Sequence, residues 1–109
     1  MSYSVIALPS FRKKLKQLAK KYPSLKTDLA ILFESLEANP IQGIPLGKNC
    51  FKIRLAISSK HKGKSGGARL ITNFVIADQT VYLLSIYDKS DTDNLSNKEL
   101  SELLKEVPE

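Results

Sequence analysis

The sequence predicts an α+β fold in which a small antiparallel sheet carries an N-terminal helical hairpin and a short C-terminal helix. Apolar residues at helical spacing come first, over residues 11–19 and 25–36, and three strand-like stretches follow between residues 50 and 87. The 109 residues, 42% of them apolar, suffice for one core and leave little length for a second. We therefore expect a single domain over residues 1–109, with its helices packed on one face of the sheet.

The first third of the chain predicts one strand and two helices. Residues 3–7 form a short strand, and Ser10 after Pro9 is predicted as the N-cap of the first helix. Lys and Arg surround the apolar stripe of this helix, which Pro23 ends. The second helix ends before Pro40, and a loop of about ten residues, rich in Gly and Pro, is expected to lead to the sheet.

The first strand of the predicted sheet has two different faces. Residues 50–57 alternate between apolar and other side chains, which is typical of a strand with one buried face. Lys52 and Arg54 fall on the face opposite the apolar one. One face of the sheet is therefore predicted to be core and the other to present cations.

The rest of the chain predicts two more strands and a helix. Residues 58–67 are polar and rich in Gly, which indicates a flexible connection to a strand over residues 68–77. Residues 81–87 are apolar on both faces, as a central strand would be. Ser96 and Glu99 have the spacing of a capping box at the start of the last helix.

The charge of the chain is concentrated in its middle. Seventeen basic and eleven acidic residues give a formal net charge of +6, yet residues 38–77 contain seven Lys and Arg and no Asp or Glu. Cations without carboxylates near them in the chain are expected to face an anion from outside, which favours RNA, DNA or an acidic protein as partner. An ordinary solvated basic surface would give the same pattern.

Some of these cations are predicted to share one surface. Lys52 and Arg54 project from one side of their strand, and the next antiparallel strand can place Arg69 beside them. With the lysines of the intervening loop they form a cationic floor, which comprises Lys52, Arg54, Lys60, Lys62, Lys64 and Arg69. Arg can hold a phosphodiester through two hydrogen bonds, and an anion would offset the repulsion among the cations. Lysines whose stems merely pack on the sheet are the alternative.

Several kinds of site are excluded by composition. One cysteine, Cys50, and one histidine, His61, provide neither a disulfide framework nor a His/Cys metal cluster, so we expect no metal and no cofactor. His61 is either an exposed loop residue without function or a catalytic group without an orienting carboxylate. The apolar runs are only a few residues long, so we expect no membrane segment, no signal peptide and a cytoplasmic location.

Three segments together resemble a known group of proteins. FKIRL at residues 51–55, KGKSGGARLI at residues 62–71 and LLSIYDK at residues 83–89 resemble toxins of the RelE/ParE superfamily. The Gly-Lys-x-Gly-Gly-x-Arg loop and the Ile-Tyr-x-Lys strand end are most similar to its HigB branch. The resemblance implies a RelE-like fold and the toxin of a type II toxin–antitoxin system. It also implies a ribosome-dependent endoribonuclease that cuts translated mRNA and is neutralised by a cognate antitoxin.

The resemblance further implies roles for individual residues. Such enzymes cut by attack of a ribose 2′-hydroxyl on the adjacent phosphate, with Lys, Arg and Tyr where other nucleases use histidines. Lys52 and Arg54 match the paired cations of the family, Arg69 matches its phosphate-contacting arginine, and Lys89 replaces a second arginine. Relatives of the RelE branch have a tyrosine where this chain has Leu95, so the role of that tyrosine as base does not transfer.

The remaining site residues are assigned by chemistry. Lys52 or Lys64 is predicted to transfer the proton, because either lies among other cations. Tyr87 is a possible substitute for the missing tyrosine and equally a packing residue, and His61 is a further candidate. The lysines expected to contact RNA without taking part in catalysis are Lys48, Lys60 and Lys62.

Two other functions remain open. A ParE-like toxin would act on gyrase without catalysis, but the presence of Lys52, Arg54 and Arg69 argues against it. An RNA-binding module could use the same basic face without cutting. Few aromatic residues accompany the cations, so base stacking of the kind that single-strand-binding proteins use has little support.

Overall fold

The structure is a computed structural model that describes residues 2–61, 63, 66–91 and 94–108. In chain order, the helices and strands are β1 (Ser4–Ala7), α1 (Pro9–Lys21), α2 (Leu25–Ala38), β2 (Ile44–Gly47), β3 (Cys50–Leu55), β4 (Ala68–Val75), β5 (Thr80–Asp88) and α3 (Asn97–Leu104). Short 3₁₀ turns at Ser58–Lys60 and Ile76–Asp78 follow β3 and β4. Within the described residues, no helix combines the length and the apolar character needed to cross a membrane.

The predicted α+β class is confirmed, but the sheet is mixed and not antiparallel throughout. The strand order is β1-β5-β4-β3-β2, and the pairs from β5 to β2 are antiparallel. β1 pairs with β5 in parallel, from Ser4 opposite Thr80 to Ala7 opposite Leu83. Parallel neighbours need a long crossover, and here the whole chain between β1 and β5 provides it.

β2 is a strand that the sequence did not predict. Its residues fall in the stretch expected to be a loop, and Pro45 lies within it. Proline is tolerated here because β2 is an edge strand, whose outward N–H groups need no partner in the sheet. The turn into β3 is tight, with left-handed backbone at Gly47, Lys48 and Asn49.

A β-bulge on β5 changes which side chains share a face. Ile71 lies opposite Ser85 and Thr72 opposite Leu83, so Leu84 is an extra residue on β5. Before the bulge Leu83 faces α1 and α2, and after it Ile86 does. Tyr87 therefore lies on the same face as Leu84, whereas strict alternation would put it on the other face.

The core is divided by the sheet into two clusters. α1 and α2 cover one face, where Phe11, Leu29 and Leu36 pack against apolar residues of β3, β4 and β5. α3 covers part of the opposite face, where Leu100 packs against Leu84 and its neighbours. The expectation that all helices lie on one face is therefore wrong for α3, because the alternating residues of the central strands leave apolar surface on both sides to be buried.

The helix ends confirm one predicted cap and correct another. Ser96 accepts a hydrogen bond from the backbone N–H of Glu99, whose side chain accepts one in return, so the capping box of α3 is confirmed. The N-cap of α1 is Leu8 and not Ser10. The backbone N–H of Ser10 donates to Glu106 Oε1 at 3.0 Å and its hydroxyl donates to Oε2. A carboxylate from the C-terminal region thus satisfies the N-terminus of α1, which has no acidic residue in its first turn.

Candidate active site

A row of three paired residues crosses the face of the sheet that α3 partly covers. Arg54 of β3 lies opposite Arg69 of β4, and Arg69 lies opposite Tyr87 of β5. Directly opposed residues on neighbouring strands have Cβ atoms roughly 5 Å apart, so the three side chains leave the same face of the sheet side by side. We call Arg54, Arg69 and Tyr87 the arginine row.

Lys52 belongs to the next row on the same face. It pairs with Ile71, two residues along β3 from Arg54. Its ammonium nitrogen lies 3.4 Å from Oδ1 of Asn94, which precedes α3. The structure thus brings Lys52, Arg54 and Arg69 together as the strand pattern predicts, and it adds Asn94, which sequence reasoning missed because residues 42 positions apart leave no local signal.

The members of the arginine row differ in their exposure. Arg54 is exposed, whereas Arg69 is 4% exposed and its Nη1 donates to the carbonyl of Ala68 at 3.1 Å. Tyr87 is 9% exposed. The cationic floor is therefore not an open surface at this point, because one of its two arginines is buried.

Lys60 does not lie on the predicted cationic floor. Its side chain is 8% exposed, and Nζ lies 2.6 Å from Oδ1 of Asp88 and 2.7 Å from the hydroxyl of Ser90. Asp88 faces α1 and α2, on the other side of the sheet from the arginine row. The expectation that this carboxylate-free segment finds no partner within the chain is therefore wrong for Lys60.

The groups around Asp88 stabilise the ionised form of its carboxyl group. Burial by itself would raise the pKa of this carboxyl group. Hydrogen bonds from Lys60, from the hydroxyl of Tyr22 and from the backbone N–H of Ser90 instead hold the pKa far below its ordinary value. The ammonium nitrogen of Lys21, whose side chain is 59% exposed, lies 3.9 Å from Oδ2 of the same carboxylate.

The other predicted residues lie around these two groups. Lys48 is in the β2–β3 turn, at the far end of β3 from Arg54, and its Nζ lies 3.3 Å from the hydroxyl of Ser101 on α3. His61 is exposed and has a left-handed backbone. Lys89 is half-buried and its backbone N–H donates to the carbonyl of Gly67 at 3.0 Å. The predicted residues that lie outside the described part of the chain are Lys62 and Lys64.

A groove of about 840 Å³ lies between α2 and the edge of β3, and Arg54 is the member of the arginine row that lines it. Lys52 and Arg54 contribute to its wall, and Ile31 of α2 and Ile44 of β2 flank it. It lies along the edge of β3 because β2 pairs with β3 only as far as Lys52. Its size is within the range of pockets that hold small ligands. Across the described residues, no group of His, Cys, Asp and Glu side chains could hold a metal ion.

The chain matches a known family over most of its length. The model of the RelE toxin of the RelE/RelB toxin–antitoxin system matches residues 11–107, so the chain belongs to the RelE toxin family. This confirms the predicted superfamily. The closer likeness to the HigB branch is not confirmed by this match.

Solved structures show the same fold. The chain is similar to an arginine double mutant of the E. coli toxin RelE in the free state, with a TM-score of 0.63, 19% identity and coverage of 99% of this chain and 100% of that one. It is also similar to a chain of the toxin–antitoxin complex RelBE2 from Mycobacterium tuberculosis, with a TM-score of 0.60, 22% identity and coverage of 84% and 95%. At these identities the likeness is one of fold.

Proposed function

Since the chain belongs to the RelE toxin family, we propose that it is a ribosome-dependent endoribonuclease that cleaves translated mRNA and thereby arrests growth. The observation that carries the proposal is the arginine row with Lys52 beside it on one face of the sheet. Two adjacent guanidinium groups suit a phosphate that gains negative charge during the reaction. Residues 1–109 would act as one toxin domain in the cytoplasm.

The proposed reaction begins at a ribose 2′-hydroxyl. Its oxygen bonds to the adjacent phosphorus while the bond from phosphorus to the 5′-oxygen breaks. A base takes the proton of the 2′-hydroxyl, and an acid gives one to the departing 5′-oxygen. Lys52 or Lys64 serves in proton transfer, and Lys89 is a further cation that positions the strand.

The two arginines have different parts in this proposal. Arg54 is exposed, so it meets the phosphate first. Arg69 lies directly beside it as a buried second charge, in surroundings where electrostatic interactions are stronger than in water. The groove beside Lys52 and Arg54 would hold the neighbouring nucleotide. Lys48 and Lys62 would contact the RNA backbone, whereas Lys60 has no part in binding because its ammonium group bonds Asp88.

A protein partner is part of the same proposal. One of the similar structures is a toxin–antitoxin complex, and RelE toxins are named together with their RelB antitoxins. We propose a cognate antitoxin for this chain, with the ribosome and mRNA as its other partners. Neither a metal nor a cofactor is needed for the proposed chemistry.

Primer extension in cells tests the reaction. Inducing the protein without an antitoxin should produce cuts within translated regions of mRNAs, and these should disappear when translation of the message is blocked. Arg54→Ala should abolish the cuts, and Arg12→Ala, an exposed arginine on α1, should leave them. Cuts that persist on an untranslated message would contradict the ribosome-dependent reaction, and growth arrest without cuts would point to a ParE-like toxin.

Salt dependence tests which cations face the RNA. The logarithm of the affinity for the ribosome should fall linearly with the logarithm of the salt concentration. Replacing Lys62 and Lys64 by Met should flatten the slope by roughly one to two units, since each phosphate contact contributes about 0.7 to 0.9. Replacing Lys13 and Lys20 on α1 should change it much less. Equal effects of the two pairs would mean that overall charge, and not this site, governs binding.

A further inference from the structure

The ion pair of Lys60 and Asp88 lies directly behind the arginine row. The side chain of Asp88 has no exposed surface, and it accepts hydrogen bonds from Lys60 Nζ at 2.6 Å, Tyr22 Oη at 2.5 Å and Ser90 N at 2.9 Å. Lys60 ends the 3₁₀ turn after β3, and Tyr22 follows α1. The pair therefore joins three separate segments at the end of β5. We call Lys60 and Asp88 the buried pair.

The buried pair is connected to the arginine row through the backbone. Asp88 follows Tyr87 on β5 and lies opposite Ala68, which precedes Arg69 on β4. Consecutive side chains of a strand point to opposite faces, so holding Asp88 on the helical side directs Tyr87 toward the other side. The backbone N–H of Lys89 then closes this end of the sheet by donating to Gly67.

Stability alone is a weak reason for such a pair. Desolvation of two charges offsets most of their attraction, and an apolar pair of similar volume is often as stable or more stable. Removing one partner is different, because the other charge is then buried without compensation. A neutral replacement of both residues that still accepts the hydrogen bonds of Tyr22 and Ser90 can therefore separate a contribution to stability from a contribution to geometry.

We propose that Lys60 and Asp88 are positioning residues that fix the end of β5, and with it the placement of Tyr87 and Arg69 for the cleavage step. This rests on the proposed function. Neither residue touches the RNA in this proposal. They act by setting the direction and spacing of Tyr87, which precedes Asp88, and of Arg69, which follows Ala68. Displacements of about 1 Å in such groups cost roughly 100-fold in rate.

The test compares a double variant with a matched control. Lys60→Met combined with Asp88→Asn removes both charges and keeps the shape of both side chains, and the amide oxygen introduced at residue 88 can still accept a hydrogen bond from Tyr22 or from the backbone N–H of Ser90. Lys21→Met removes a cation 3.9 Å from the same carboxylate, and the side chain of Lys21 is 59% exposed. Each protein is examined for thermal unfolding, for cleavage of a short mRNA on programmed ribosomes, and for amide hydrogen exchange at Arg69 and Tyr87. If this double variant does not fold, Lys60→Gln combined with Asp88→Asn, whose two amide groups can hydrogen-bond each other, takes its place.

A positioning role predicts that the double variant loses catalytic rate and amide protection while its stability hardly changes. The double variant should melt within a few degrees of the wild type while kcat falls roughly 10- to 100-fold, KM changes about twofold or less, and exchange at Arg69 and Tyr87 quickens about tenfold. Lys21→Met should match the wild type in all three. A stable double variant with normal kcat and normal exchange would overturn the proposal. If the wild type itself does not cleave, the proposed function fails, and the exchange rates alone decide whether the buried pair positions the row.

Discussion

Gly67 is the position where the structure makes the sharpest prediction about stability. A Cβ atom at residue 67 would lie 2.0 Å from the carbonyl oxygen of Leu55 and 3.1 Å from the Cα of Ala56. Both neighbours are backbone atoms, and Leu55 is paired with Ala68 in the sheet. The clash can be relieved only by moving the ends of β3 and β4 apart by about 1 Å, which also moves Arg69.

The expected cost of Gly67→Ala follows from that displacement. Forced packing against well-ordered structure costs about 1–3 kcal/mol, and rigid backbone neighbours place this site at the upper end, about 3 kcal/mol. For a domain of this size 1 kcal/mol lowers Tm by roughly 4–8 °C, so Tm should fall by about 12–24 °C. Gly63→Ala is the control, because a Cβ there meets nothing within 4 Å. Gly63→Ala should cost only the strain of placing a Cβ on left-handed backbone, about 1 kcal/mol.

Calorimetry or circular dichroism of the three proteins measures these shifts. If Gly67→Ala melts within about 3 °C of the wild type, or no lower than Gly63→Ala, then the strand ends can separate freely. The close contact between residue 67 and β3 would not define this end of the sheet, and the placement of Arg69 could not be attributed to it.

Three further predictions concern single buried groups. Arg69→Ala should lower the cleavage rate by about 100- to 1000-fold, which is the effect of losing one group that stabilises developing charge. It should also lower Tm more than Arg54→Ala does, because Arg69 is buried and Arg54 is exposed. Equal cleavage rates for wild type and Arg69→Ala would remove Arg69 from the site. The hydroxyl of Thr72 is buried with no hydrogen-bond partner among the described residues, so Thr72→Val should leave the free energy of unfolding unchanged or raise it by up to about 1 kcal/mol, and a clear loss in urea denaturation would show a missed partner. Since the pKa of Asp88 is lowered on folding, its ionisation stabilises the protein above the unfolded pKa of about 3.9 and is lost as pH falls below that value. The difference in unfolding free energy between wild type and Asp88→Asn should therefore shrink between pH 6 and pH 2.5, and a constant difference would mean that folding does not lower the pKa of Asp88.

The helices and the two faces of β3 could be predicted from local sequence patterns. Apolar spacing located α1 and α2, and the Ser96–Glu99 capping box located α3, because these signals depend on residues one or two turns apart. Alternation along β3 put Lys52 and Arg54 on the face opposite the core, because one face of that strand is apolar and the other is not. β5 was identified as a central strand from its apolar residues on both faces, and its nine residues are all buried.

Contacts between residues far apart in the chain could not be predicted from these local patterns. The tertiary structure placed β1 parallel to β5, α3 on the second face, and Glu106 at the N-terminus of α1 where Ser10 was expected as the cap. Each of these arrangements depends on contacts between residues far apart in the chain, whereas helix and strand propensities reflect only the local chain.

The arginine row shows the division most clearly. Arg54 and Arg69 were expected together, but the third member of the row was fixed by the bulge at Leu84, which turns Tyr87 to their side. A strand that is apolar on both faces has no alternation for a bulge to interrupt, so the sequence gives no sign of where the register changes. Lys60 was expected in the cationic floor because its charge is visible in the sequence. The carboxylate that binds it, Asp88, lies 28 residues away and comes within reach only when β5 pairs with β4.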